Sequence, residues 1–491
     1  MRLTELAEGT TIEMVPEAAM EPVEIRGLAA DSRKIAPGYL FAALPGSIAD
    51  GRSFIDEAVA KGAVAVLGPR GTRLRNYGRP VALLTDDNPR RRLALMAAQF
   101  YVRQPRVIAA VTGTNGKTSV ADFTRQIWTH CGRKAASLGT LGLVPERPDA
   151  PAALTTPDPV ELHRCLAALA GDGFDHLAME ASSHGLDQYR LDGVKVTAAA
   201  FTNLSRDHLD YHGGMEPYLQ AKLRVFRELL LPGGTAVVNA DVPEAEAIRA
   251  AVADRKVTLL TYGRAGHALR LVERRPTGAG QDLTLDVLGE RHELRLPLAG
   301  AFQAANVLAA LGLTLATGAD PGQAVAALTH LKGVRGRLEL VARTPSGATV
   351  YVDYAHTPDA LDNVLTALRP HTKGRLFVVF GCGGDRDRGK RPIMGEAAYR
   401  LADVAVATDD NPRSEDPATI RRAVLAAAPG AQEIGDRRAA ITETVARLED
   451  GDVLVVAGKG HEQGQIVAGT VLPFDDRSVA QGAVAALEKN R

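Results

Sequence analysis

Cysteine is scarce in this chain. Cys131, Cys165 and Cys382 are the only three among 491 residues, and no two of them form a CxxC pair. Such spacing argues against a disulfide scaffold or a cysteine zinc site and fits a reducing compartment. Aromatic residues make up 4% of the chain, which argues against a surface built for stacking bases. An excess of charge is missing as well. The 58 basic residues face 58 acidic ones, so no global field recruits nucleic acid or an acidic membrane. No apolar run approaches the roughly 20 residues of a membrane span. The opening Met1-Arg-Leu-Thr-Glu-Leu-Ala-Glu8 has no apolar signal-peptide core. These absences predict a cytoplasmic, soluble protein that handles small molecules, with neither nucleic-acid binding nor membrane insertion.

What is present is length enough for about three domains with large cores, and one stretch that stands out. In Val107-Ile-Ala-Ala-Val-Thr-Gly-Thr-Asn-Gly-Lys-Thr-Ser119 a β-branched apolar run stops at a glycine loop. A helix pattern with Phe123, Ile127 and Trp128 on one face follows it. Strand, glycine loop and helix form the setting of a phosphate-binding loop. Gly113 and Gly116 let backbone amides turn inward, the helix N-terminus adds partial positive charge, and Lys117 adds a full one. The Thr118 hydroxyl is placed for a Mg²⁺ bridging phosphate oxygens. Val111 stands where the usual pattern has its first glycine. An ordinary turn between strand and helix is the competing reading; the flanking elements favour ATP.

Residues 1–104 read as a small α/β domain with strands at Tyr39–Leu44, Ala63–Leu67 and Pro80–Leu84. Its polar stretches Asp31-Ser-Arg33 and Gly46-Ser-Ile-Ala-Asp-Gly51 read, alone, as turns. Residues 105–333 form the central ATP-binding domain, with a mostly parallel sheet. Within it, Leu154-Thr-Thr-Pro-Asp-Pro159 turns into a helix, and the strand at His176 ends by exposing Glu180, Ser182, Ser183 and His184. A carboxylate at a strand end on the sheet of a phosphate loop can hold the nucleotide's Mg²⁺; a solvated terminus is the alternative. Asp207, His208, Asp210 and His212 gather in the next segment, without the further ligands that zinc would need. Lys222, with Tyr218 and Phe226, reads by itself as a solvated helical lysine. Pro232-Gly-Gly234 predicts a turn before a strand at Thr235, and residues 257–298 predict antiparallel rim strands.

Residues 334–491 alternate strand and helix in the manner of a doubly wound, Rossmann-like sheet. Its strands end in Asp353-Tyr-Ala-His-Thr-Pro358, Gly381–Arg388, Thr408–Arg413 and Ala457–Glu462, four polar loops on one edge. Arg386 and Arg413 beside Asp410 and Glu462 suit a zwitterion, since arginine grips a carboxylate bidentately and a carboxylate holds an ammonium. ATP, an amino acid and a larger cosubstrate suggest an amide ligase. Spacing alone does not separate that from an NTPase-driven transporter subunit or a switch.

Five motifs narrow the choice: Thr112-Gly-Thr-Asn-Gly-Lys-Thr118, Met179-Glu-Ala-Ser-Ser-His-Gly-Leu186, Thr202-Asn-Leu-Ser-Arg-Asp-His-Leu-Asp-Tyr-His212, Asp353-Tyr-Ala-His356 and Gly458-Lys-Gly-His-Glu462. In order and spacing, over nearly the whole chain, they resemble the Mur ligase family. Asp410-Asn-Pro-Arg413 resembles the form in members that add meso-diaminopimelate, whereas lysine-adding relatives lack the arginine. The resemblance implies a cytoplasmic, monomeric, ATP-dependent ligase of peptidoglycan biosynthesis. In it the D-glutamyl γ-carboxylate of UDP-N-acetylmuramoyl-L-Ala-D-Glu becomes an acyl phosphate, which the amine of diaminopimelate attacks.

The resemblance also implies roles. Gly113, Thr114, Asn115, Gly116, Lys117, Thr118, Ser119, Asn306, Arg337 and Asp353 would bind ATP. Ser32, Thr155, Thr156, Ser182, Gln188 and Arg190 would grip the muramoyl dipeptide. Arg386, Asp410, Asn411, Pro412, Arg413, Gly458 and Glu462 would hold diaminopimelate. Thr118, Glu180, His208 and Lys222, the last as a carbamate, would hold Mg²⁺, and Lys117, His208 and Lys222 would be catalytic. Ser47-Ile48-Ala49 departs from a family loop that often carries His or Thr and Gln, which bears on the uridine contacts.

The lysine-adding ligase on the same scaffold is the nearest alternative. Folylpolyglutamate synthetase shares the ATP loop but gives no reason for the full N-terminal domain or for Asp410–Arg413. A catalytically silent ATP-binding scaffold of cell-wall enzymes is the alternative from another class. With ATP and amino-acid sites on different domains, hinges near 104 and 333 should let the last domain close and shield the acyl phosphate from water. Small-angle scattering is expected to show compaction with an ATP analogue and muramoyl dipeptide; unchanged dimensions would count against closure.

Overall fold

The computed structural model describes the chain apart from residues 8–11, 16–22, 47–48, 149, 152–153, 279 and 490–491. Ser47 and Ile48, where the sequence departs from the family loop, therefore lie outside the described residues. The chain forms two compact units, Met1–Leu260 with Leu313–Ala319, and Thr261–Gly312 with Asp320–Arg491.

The first unit holds a small sheet in the order Ile12–Val15, Val81–Asp86, Ala65–Pro69, Tyr39–Ala42, Gly27–Ala29. Its three middle strands are those expected from the apolar runs, and only Ile12–Val15 pairs antiparallel. A second sheet runs Leu230–Asn239, Val196–Phe201, Val107–Thr112, His176–Glu180, Ala135–Gly139, Gly142–Val144, parallel except for the last hairpin. Val107–Thr112 lies inside this sheet with apolar neighbours on both faces, which is why it reads as a continuous hydrophobic run rather than an alternating one. Val111 pairs with Glu180, so the phosphate loop and that carboxylate leave adjacent strands at the same end.

Two expectations change. The turn at Pro232-Gly-Gly234 is a bulge inside a longer strand, Leu230–Asn239, whose register jumps from Val196↔Leu230 to Ala198↔Thr235. Proline lacks the N–H that the ladder needs, and the bulge takes it out of pairing. The rim strands Leu269–Pro276, Gln281–Val287 and Glu290–Leu296 pair antiparallel as expected. The strand ending at Gly263 instead meets Leu269–Pro276 in parallel, through Tyr262↔Leu269 and Gly263↔Arg270.

The second unit carries a sheet ordered Glu339–Arg343, Thr349–Asp353, Val453–Ala457, Leu376–Phe380, Val404–Ala407, Gln432–Glu433, parallel beyond its first strand. Helices Pro358–Leu368, Lys390–Leu401 and Pro417–Leu425 pack on one face. Arg437–Val445 and Asp476–Lys489 pack on the other, which makes the sheet doubly wound. The helix starts are written locally. Asn88, Asp158, Asp320, Thr357 and Asp416 each cap a helix with their side chain, and each is followed by proline at the first helical position.

Arg437 and Asp476 are both fully buried between the last two helices and the sheet, in a bidentate pair with both nitrogen–oxygen distances at 2.7 Å. The Arg437 Nη2 also donates to the carbonyl of Ala457 at a strand end, 2.9 Å away. Removing one partner strands a buried charge, so Asp476→Ala is expected to cost about 3–5 kcal/mol. Guanidinium unfolding of the second unit would measure it, and a loss below about 1 kcal/mol would contradict the pairing.

Candidate active site

The phosphate loop is strapped to its neighbours before any ligand arrives. The amide of Thr114 donates to the Asn203 carbonyl (2.8 Å) and that of Asn115 to the Asn203 Oδ1 (3.0 Å). Thr202 Oγ1 donates to the carbonyl of Asn115 at 2.6 Å. Gly113 takes φ +141°, and a Cβ there would lie 2.0 Å from Thr202 Oγ1, so no other residue fits. The amides of Thr114 and Asn115 are thus already used, which leaves the N-terminus of the helix beginning at Lys117 as the candidate phosphate cradle.

Lys117 folds back on its own loop, donating to the carbonyls of Gly113 (3.0 Å) and Thr114 (2.7 Å). Lys222 Nζ reaches the same Gly113 oxygen at 2.8 Å and lies 4.2 Å over the Tyr218 ring. Lys222 is 1% exposed, so the solvated lysine of the residue-level reading is corrected. Its helix turns Tyr218, Lys222 and Phe226, four residues apart, onto the buried face. Burial, and then the Lys117 ammonium, push Lys222 well below the ordinary lysine range.

Beside the loop, Glu180 accepts from the Thr140 amide at 2.7 Å and from its hydroxyl at 3.3 Å. The Thr140 hydroxyl meets that of Thr155 at 3.1 Å. Thr156 Oγ1 donates to the Glu180 carbonyl (3.0 Å) and accepts from the Ser182 hydroxyl (3.0 Å). Arg190 donates to the Thr156 carbonyl (2.7 Å) and to Gln188 Oε1 (2.7 Å). Thr155, Thr156, Ser182, Gln188 and Arg190, expected at the muramoyl dipeptide, therefore form one network. Gln188 also donates to the Tyr211 hydroxyl, and Tyr211 packs against His184, 4.1 Å between rings. His184 packs in turn against His208 at 4.8 Å. Ser32 stands apart in the small-sheet region, its hydroxyl donating to Glu57 at 3.0 Å.

In the second unit, Asn306 donates to Gln303 (3.1 Å), and the Arg337 guanidinium lies 4.7 Å over the Tyr354 ring. Asp353 accepts from the amides of Leu338 (2.6 Å) and Ala355 (2.8 Å). Burial pushes the Asp353 carboxyl up to about 6 against the pull of Arg337 and those two amides. Beyond the neighbouring strand ends, Arg413 sits at φ +54° and donates to the Gly384 carbonyl at 2.9 Å. Gly458, at φ +120°, has Asp410 Oδ2 2.7 Å from where a Cβ would sit. A hairpin, Gly464–Val467 and Thr470–Pro473, clips this loop. Ile466 accepts from the Arg413 amide (2.9 Å), and Gln465 donates to the Asp410 carbonyl (2.8 Å). Asp410, Asn411, Arg413, Gly458 and Glu462 come together here, and Pro412 fits against Gly384, where a Cβ would meet its carbonyl at 1.9 Å. Arg386 makes no hydrogen bond among the described residues, and its charge reaches Tyr354.

The arrangement matches known proteins along its length. Residues 24–101, 111–314 and 336–460 match the descriptions "Mur ligase family, catalytic domain", "Mur ligase middle domain" and "Mur ligase, glutamate ligase domain". The chain is similar to the UDP-N-acetylmuramoyl-L-alanyl-D-glutamate–2,6-diaminopimelate ligase of Caulobacter vibrioides, 58% identical over 93% of this chain and 95% of that one. It belongs to the Mur ligase family. To the protein of the same name in Brucella melitensis this Mur ligase is 54% identical, over 99% of each chain. A solved structure of a UDP-N-acetylmuramoyl-L-alanyl-D-glutamate–2,6-diaminopimelate ligase superposes with a TM-score of 0.73 at 33% identity, over 99% of both chains.

Residue-level reading of this Mur ligase passed over several groups that hold the site. Tyr218 and Thr140 carry no motif of their own. Tyr354, His461 and Lys459 lie inside quoted motifs but were given no role. Gln303 precedes Asn306 by one helical turn, a spacing that could have flagged it.

Lys222 generates a pH prediction. Between its depressed folded value and the ordinary 10.5, the unfolded chain holds the proton and the folded one does not. Stability therefore rises with pH through that window, and the penalty is fully present below it. In CO₂-free buffer the wild type is expected to gain stability relative to Lys222→Met as pH rises towards the ordinary lysine value of 10.5. Parallel stability curves for the two proteins would refute the depressed value.

Proposed function

We propose that this Mur ligase uses ATP to join meso-diaminopimelate to the D-glutamyl γ-carboxylate of UDP-N-acetylmuramoyl-L-alanyl-D-glutamate in peptidoglycan biosynthesis. The observation that carries the reading is the closure of Asp410–Arg413 on Gly458–Glu462, which gathers a guanidinium and a carboxylate for a zwitterion. The near-full-length likeness to relatives named for this reaction supports it. The work divides among residues 1–104 for the uridine-linked substrate, 105–333 for ATP and 334–491 for the amino acid, acting as a monomer.

A γ-carboxylate oxygen attacks the terminal phosphorus and the bond to ADP breaks. The diaminopimelate amine then forms a bond to the acyl carbon and loses a proton as the tetrahedral intermediate expels phosphate. Lys117 and the amides at its helix start stabilise the charge on the transferring phosphoryl group. Thr155, Thr156, Ser182, Gln188 and Arg190 hold the acid. Asn306, Arg337 and Asp353 hold the nucleotide.

Thr118, Glu180, His208 and a Lys222 carbamate would hold Mg²⁺, which when bound neutralises phosphate charge. The donor set fits a hard cation, and the nearly buried Thr118 hydroxyl makes no hydrogen bond among the described residues. Carbamylation adds CO₂ to the neutral amine, forming an N–C bond and releasing a proton. The depressed amine of Lys222 supports it, and the product anion would relieve the repulsion from Lys117. Intact mass spectrometry in bicarbonate is expected to show one added CO₂ that Lys222→Met lacks.

Phosphate release with ATP, Mg²⁺ and muramoyl dipeptide is expected with diaminopimelate and not with L-lysine. Lysine turnover alone would favour the lysine-adding ligase, and ATP binding without phosphate release would favour a silent scaffold. Lys117→Ala is expected to cut tripeptide formation by about two to three orders of magnitude. Full-rate catalysis by that variant would overturn the mechanism.

A further inference from the structure

Glu462 is half-buried, and its two carboxylate oxygens are not equivalent. Oε2 accepts from Lys459 Nζ at 3.1 Å and from Asn411 Nδ2 at 3.0 Å. Oε1 makes no hydrogen bond among the described residues. Lys459 is fully buried; it donates also to Asn411 Oδ1 at 3.0 Å and stands 3.9 Å from Asp410 Oδ1. Asn411 Oδ1 takes a second donor, the amide of Ile466 in the clipping hairpin, at 2.9 Å. Both ends of the Asn411 amide are therefore spent inside the protein. It braces the pocket, with one of its two Nδ2 hydrogens committed to Glu462.

We propose that Lys459 is a positioning residue for the amino-acid pocket: with Asn411 it pins Oε2 of Glu462, so that Oε1 is the oxygen presented to the ammonium of the incoming amino acid. The inference rests on the proposed amide-ligase reading. A buried ammonium suits this place because two carboxylates face it, Glu462 at 3.1 Å and Asp410 at 3.9 Å. Burial pushes the Glu462 carboxyl up, yet Asn411 and Lys459 hold it below its ordinary value, so it stays charged without a ligand. An apolar residue at 459 would leave Glu462 free to turn away, and the pocket would be ordered only as the amino acid binds.

The test compares the full-length wild type, Lys459→Met, Glu462→Gln and the double variant in steady-state phosphate release. Lys459→Met is expected to raise KM for diaminopimelate about tenfold or more, leaving KM for ATP and for muramoyl dipeptide unchanged. Because Lys459 acts through Glu462, the double variant is expected to be no worse than Glu462→Gln alone. An unchanged KM for diaminopimelate, or losses that multiply in the double variant, would overturn the proposal. Should Lys459→Met fail to fold, judged by melting and nucleotide binding, Lys459→Gln carries the same comparison with a smaller loss. A wild type that releases no phosphate with diaminopimelate would instead overturn the functional reading, so the two failures are distinct.

Discussion

Two lysine Nζ atoms share one carbonyl oxygen in this protein, that of Gly113, with Lys117 at 3.0 Å and Lys222 at 2.8 Å. A single peptide dipole cannot balance two cations, and burial removes the water that would screen them. The response of the folded chain is to depress Lys222 and to lean Lys117 on a second carbonyl. What remains is a preorganised excess of positive charge at a helix start, the complement of a nucleotide's terminal phosphates. The cradle exists only because residue 113 has no side chain to meet Thr202.

Parallel strands explain why the rest of the chemistry gathers where it does. In a parallel sheet every strand ends on the same edge, so loops distant in sequence become neighbours. Glu180 follows one strand and the phosphate loop another, in register across a pair of backbones. The second unit repeats the device, with Asp353, Gly381, Thr408 and Gly458 at or just beyond four parallel strand ends. In the second unit buried charges are pinned by partners rather than left to solvent: Arg437 by Asp476, and Lys459 by Asn411 and Glu462. Pinning orders the donors and acceptors before substrate arrives, which lowers the entropy cost of binding.

Much of this was legible in the sequence. Capping residues followed by proline stand at helix starts through contacts a few residues long. The phosphate loop is equally local, since strand, glycine turn and helix start are contiguous. Lys222 was not legible as a residue. A lysine in a helix reads as solvated, and only packing of the face shared with Tyr218 and Phe226 turns its amine inward. Pro232 marked a break but not its kind, because a bulge differs from a turn only in what the neighbouring strand does.

The sequence by itself determined the α/β class, the phosphate loop and, through motifs in register, the family. Each depends on interactions between residues close along the chain or on residue types in a set order. Tertiary structure alone decided that Lys117 and Lys222 meet on one oxygen, that Thr156 joins Glu180 to Ser182 and Arg190, and that Lys459 divides the work of the two Glu462 oxygens. Those outcomes depend on burial and on hydrogen-bond geometry between segments up to 109 positions apart, and neither is written in local spacing.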